Sequence, residues 1–145
     1  MSRWPKLLIG LAAALLAGWV HHGPLGGGEA FIAALEARAR LRVRVTELQG
    51  IEVRMHRDPL ARVALMSGEA NEFQREGMGS YPGLNERVGT VPGIAAVRWH
   101  DEGEAQRRVM PLVVEVLALV GLAYLLGLGI GWLLFGRRRR QSFLD

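Results

Sequence analysis

No cysteine occurs in these 145 residues. That absence excludes disulfide frameworks, thiolate metal sites and thiol nucleophiles. The one lysine, Lys6, lies near the amino terminus, which removes Schiff-base chemistry from everything after it. Aromatic residues make up only 7% and charged residues 22%, while half of the chain is hydrophobic. An excess of one charge is missing from the middle, because residues 29–108 hold 12 arginines and 12 acidic residues. The formal balance of +4 arises at the ends, from Arg3, Lys6, Arg137, Arg138, Arg139 and Arg140 against Glu115 and Asp145. A nucleic-acid binder concentrates positive charge on its folded part. No nucleic-acid partner is expected here.

Two long apolar runs occupy the ends. Residues 7–20, LLIGLAAALLAGWV, carry no charge. With residues 4–6 and 21–25 the segment reaches about 33 Å as a helix, enough to cross the hydrocarbon of a bilayer. Trp4 and Trp19 then fall at opposite interfaces. A cleaved signal peptide would share the basic start, but Leu16-Ala17-Gly18 is a poor cleavage site, so an uncleaved anchor over residues 1–25 is expected. The second run, residues 110–135, contains a single charge and predicts a transmembrane helix over residues 110–136. Pro111 suits its first turn. Arg137, Arg138, Arg139 and Arg140 follow at once in a basic tail, residues 137–145. Arginine against a span marks the cytoplasmic side. The same reasoning for Arg3 and Lys6 places both ends in the cytoplasm and residues 26–109 in the periplasm of a bacterial inner-membrane protein.

Both spans carry small residues at a four-residue spacing, Gly10, Ala14 and Gly18 in the first and Ala123, Gly127 and Gly131 in the second. Such stripes let helix backbones approach closely in lipid. They are candidate packing surfaces, toward each other or toward another protein. Glu115 is the one ionisable group inside the second span, and an acid there needs water or a partner, for which Arg108 is the nearest candidate.

The stretch between the spans opens with GPLGGG, residues 23–28, read as a flexible hinge. Phe31, Ile32, Leu35 and Ala39 share one helical face. From Arg38 the pattern alternates strictly, with arginine at 38, 40, 42 and 44. A strand would gather those arginines on one face and a helix would spread them. No turn signal divides the segment, so the expected helix continues to about Arg44. Arg38, Arg40 and Arg42 are candidate contacts for anionic headgroups or a partner. IEVRMH (51–56) and RVALM (62–66) alternate as strands around the turn Arg57-Asp58-Pro59 and form a hairpin. A helix over residues 71–76, an interrupting loop GMGSYPG (77–83), one or two further helical turns over 84–91 and a strand over 94–99 complete the stretch. The fold class is α+β, a small α-β-β-α-β domain whose three-stranded sheet is covered by helices on one face.

Ala64-Leu65-Met66-Ser67-Gly68, a following helix, and then Val91, Gly93, Ile94 and Val97 form a pattern that resembles the BON domain, with its strand ending in a Ser-Gly turn and its later v-x-G-V-x-x-V strand. The resemblance covers about residues 29–100. The 77–83 insertion and the Arg-Asp-Pro turn depart from the family pattern. The resemblance implies an envelope-associated, non-catalytic domain that binds membrane lipid or other envelope components, and it brings no catalytic residues.

Direct search for chemistry adds little. His21-His22 is a local doublet, while His56 with Asp58, and His100 with Asp101, Glu102 and Glu104, lack the converging donors of a metal site. Neither span has a central histidine for haem. The 77–83 loop lacks the Lys-Ser/Thr end of a phosphate loop, and Met78 and Tyr81 there are candidate contact residues. No cofactor, metal or catalytic constellation is expected. The expected partners are membrane lipid, copies of the chain, or subunits of a larger membrane complex.

Overall fold

The computed structural model describes residues 4–46, 48–102 and 109–135. The basic tail with Arg137, Arg138, Arg139 and Arg140, as well as Arg3, Glu104 and Arg108, lies outside the described residues. The fold is mixed α+β, with two long apolar helices flanking a small sheet domain.

Helix α1 spans Trp4–His22 and α5 spans Leu112–Phe135, both long and apolar enough to cross a membrane. The 18-residue apolar window of neither helix is buried inside the protein, unlike the core helix of a globular domain. The two run antiparallel and touch. A Cβ on Gly10 would meet the Tyr124 hydroxyl at 2.7 Å, and one on Gly18 would meet Val120 Cγ2 at 3.3 Å. Tyr124 Oη also donates to Leu7 O at 2.7 Å. The first stripe therefore seats larger residues of α5. The second does not answer it, since a Cβ on Gly127 or Gly131 would meet only open space. Gly18→Leu is expected to force the pair apart at a cost of about 1–3 kcal/mol, read as a lower midpoint of thermal unfolding in mild detergent.

The hinge expected at 23–28 is instead a tight corner. Gly26 takes a left-handed conformation at φ 73° and precedes α2 (Gly27–Arg44). Gly28 is packed so close to His22 that a Cβ would come within 2.5 Å of the imidazole Cε1. Glycine serves here as a close approach between two helices, which composition alone does not distinguish from a flexible linker.

The long helix expected to Arg44 is present. It buries Ile32, Leu35, Glu36, Ala39 and Val43, so the arginine series spreads around its outer faces. Strand β1 (Glu52–Arg57) pairs antiparallel with β2 (Leu60–Ser67), and β2 pairs in parallel with β5 (Ala96–Trp99). Between β2 and β5 the chain forms α3 (Glu72–Glu76), the two-residue strands β3 (Gly77–Met78) and β4 (Tyr81–Pro82), and α4 (Leu84–Gly89). An Asn71–Gln74 capping box starts α3. The segment expected as a loop is thus a minimal hairpin, turned by Gly79 at φ 58°. Gly93 sits at φ 105° with Leu35 where its Cβ would be, so only glycine fits ahead of β5.

One face of the sheet carries Val53 and Met55, then Ala64 and Met66, then Val97 and Trp99 in register. It packs on Ile32, Leu35, Ala39 and Val43 of α2 and on Leu84 and Val88 of α4. Leu112, the first residue of α5, belongs to the same core, and Val116 packs against it. The second apolar helix is therefore rooted in the domain.

Candidate functional site

A strand position that faces the core is a costly place for arginine. Arg62 shares the face of Ala64 and Met66, at the end of β2 nearest α5. Its Nε donates to Glu115 Oε2 at 2.7 Å, and its Nη1 donates to Gly93 O at 3.2 Å. The pair is partly exposed, 32% and 21%. Glu115, the lone acid of the apolar run, is thus held by β2, and the Arg108 contact considered from sequence lies outside the described residues. One guanidinium ties together β2, the turn before β5 and the first turns of α5.

Beside this pair lies a cleft of about 490 Å³ where the ends of α1 and α5 meet the domain. His21, His22, Arg62 and Glu115 supply its polar rim, while Phe31, Leu112, Val116 and Leu119 form apolar wall. His22 is only 8% exposed. Among the described residues its imidazole makes no hydrogen bond.

A second polar centre fixes α2 on the hairpin. Glu36, buried on the apolar face of α2, accepts from the Met55 amide at 2.9 Å, from Arg40 at 2.5 Å and from Arg57 at 3.2 Å. Arg40 also donates to Val53 O at 3.1 Å, and Arg57 to Glu29 at 2.6 Å. Burial pushes the Glu36 carboxyl up, but the Met55 amide and the two guanidinium groups outweigh it and hold the group below its ordinary value of 4.5. Arg40 is therefore a structural residue. Arg38 and Arg42 remain on the surface, along a shallow cleft of about 350 Å³ with Leu41, Val45, Val91 and Pro92.

At the far end of α2, about 27 Å from its first turn at ~1.5 Å per residue, a groove of about 360 Å³ runs between Val45, Phe73, Tyr81, Pro82 and Arg87. Val45, Phe73, Met78 and Tyr81 are all at least half exposed. Met78 and Tyr81, singled out from sequence, project from the β3–β4 hairpin beside this groove. Behind it, Trp99 is 3% exposed, donates to Asn85 Oδ1 at 2.8 Å and carries the Arg75 guanidinium 4.1 Å over its ring. Arg75 also holds Asp101, and that hydrogen bond lowers the Asp101 pKa from its ordinary 3.8.

Among the described residues no three His, Asp or Glu side chains come together as a metal site. His56 Nδ1 instead contacts Pro59 O at 2.9 Å, inside the hairpin turn. The sequence signal for the junction was two misplaced charges, Arg62 in a core register and Glu115 in an apolar run, and only the fold shows that they answer each other.

No family model, no curated protein and no solved structure matches the chain.

Proposed function

We propose that the chain is a non-catalytic, two-span protein of a bacterial inner membrane. Both ends lie in the cytoplasm, and the domain from α2 to β5 serves in the periplasm as a binding and assembly module for envelope lipid or for copies of itself. The observation that carries this reading is the seating of the domain on its own apolar helices, through Leu112 in the core and the Arg62–Glu115 pair. A domain fixed in this way holds one orientation over the membrane and presents its distal groove outward. The domain is a small mixed α+β sheet domain, and the exposed Met78 and Tyr81 give it an apolar contact surface. Native mass spectrometry of the full chain, drawn from membranes in mild detergent, tests the reading. A homogeneous multiple of 15.9 kDa, or the chain with bound lipid, supports it. A bare monomer contradicts it.

One observation favours a second reading, an accessory subunit of a larger membrane complex. Gly127 and Gly131 of the second stripe face open space and leave room for a foreign helix. Gly127→Leu and Gly131→Leu are then expected to strip partner subunits during co-purification while leaving the thermal midpoint of the isolated chain unchanged. Co-purification that survives both changes removes the stripe as a docking surface.

A further inference from the structure

We infer that the cleft at the junction of α1, α2 and α5 is a binding site for a single membrane glycerolipid. One acyl chain lies along Leu112, Val116 and Leu119 opposite Phe31, and a carbonyl or phosphate oxygen of the lipid accepts a hydrogen bond from His22. This rests on the membrane-spanning reading of α1 and α5 given above.

The position of the cleft comes first. His22 closes α1 and Leu112 opens α5, so the polar rim sits where both apolar helices end. Leu119 lies two turns further along α5, about 10 Å deeper at ~1.5 Å per residue. If the helices span a bilayer, the rim falls at the level of the glycerol esters and the apolar wall at the level of the upper acyl chain. Leu119 and Phe31 are 65% and 43% exposed, so this wall is unfilled by the protein itself.

His22 is the second, independent observation. The His22 imidazole is 8% exposed, lines the cleft and makes no hydrogen bond to the described residues, so its ring nitrogens are open to an occupant of the cleft. Among the described residues no buried side-chain nitrogen lacks both a partner and access to solvent, and His22 lines the cleft. Gly28 packs against the ring, where any side chain would collide with it.

Charge then narrows the ligand. Arg62 and Glu115 neutralise each other at 2.7 Å, so the arginine adds no unpaired positive charge to the rim. Such a site selects an acceptor oxygen that every glycerolipid carries, rather than an anionic headgroup. Binding by zwitterionic and anionic lipids is expected to be equal and insensitive to salt.

The test uses the full chain in nanodiscs doped with a phosphatidylcholine bearing a photoreactive diazirine in its acyl chain, followed by peptide mapping. Crosslinks are expected on residues 112–119 and at Phe31, with equal yield from the phosphatidylglycerol analogue. His22→Ala is expected to cut cleft labelling about fivefold, the weight of one hydrogen bond. Leu119→Trp, which fills the cleft from an exposed position, is expected to abolish labelling at Phe31 without touching the core. The exposed α5 face over residues 125–134 is the internal control for lipid contact. Labelling of that face without the cleft, labelling of the cleft that Leu119→Trp leaves unchanged, or labelling by the anionic analogue alone each overturns the site. Labelling of neither region overturns the membrane-spanning reading itself.

Discussion

Glu36→Ala is expected to destabilise the domain by about 2–4 kcal/mol. The largest part is the Met55 amide, which loses its carboxylate acceptor in a buried position, worth about 1–3 kcal/mol. Arg40 and Arg57 lose their shared carboxylate too, but these side chains are 51% and 47% exposed. Water takes over much of that interaction, so each adds well under about 1 kcal/mol. Glu36→Gln keeps an acceptor for Met55 and removes only the charge, so a loss of about 1 kcal/mol is expected. The pH dependence separates the two effects. A carboxyl whose folded pKa lies below its unfolded value of 4.5 contributes stability that is present above that pH and lost as pH falls through the folded pKa. The native chain should therefore lose its advantage over Glu36→Gln on acidification below about 4.5, while the variant's profile stays flatter. Thermal unfolding across pH 3–7, followed by the fluorescence of the buried Trp99, measures both.

Breaking the junction should have the next largest effect. Glu115→Leu leaves Arg62 facing Leu112 and Val116 without a counter-charge. Loss of one partner of a fully buried pair costs about 3–5 kcal/mol, and partial exposure of both groups brings the expected loss to about 1–2 kcal/mol. Arg62→Leu together with Glu115→Leu should recover most of that loss, since an apolar pair of similar size replaces the ion pair. Hydrogen exchange carries the functional readout. In Glu115→Leu the amides of β2, β5 and the first turns of α5 should exchange faster together, with the far end of α5 unchanged. If only the α5 amides respond, the pair does not hold the domain to the helix.

Much of this architecture was open to reading from the chain. Leu35, Ala39 and Val43 repeat at helical spacing through a run of alternating arginines, and the absence of any turn residue decided for one helix. The hairpin around Asp58-Pro59 and the two apolar ends announced themselves by pattern and length. What escaped depends on contacts between distant segments. GPLGGG has the composition of a linker, and nothing local tells that Gly28 makes room for the His22 ring. The two small-residue stripes looked alike, yet Gly10 and Gly18 meet Tyr124 and Val120, whereas Gly127 and Gly131 face open space. Glu36 sits on an apolar helix face and Arg62 in an apolar strand register. Neither stands out in the sequence pattern by itself, because the partner of each, 19 and 53 residues away respectively, comes near only on folding.

Because the chain has no cysteine, single cysteines report topology without background. Intact cells carrying either Ser80→Cys, in the β3–β4 turn, or Ser142→Cys, after the four arginines, would be treated with a membrane-impermeant maleimide. The account predicts labelling at position 80 in intact cells and at position 142 only after permeabilisation. Labelling at 142 in intact cells, or protection of 80, would contradict a domain held outside the membrane on two spans.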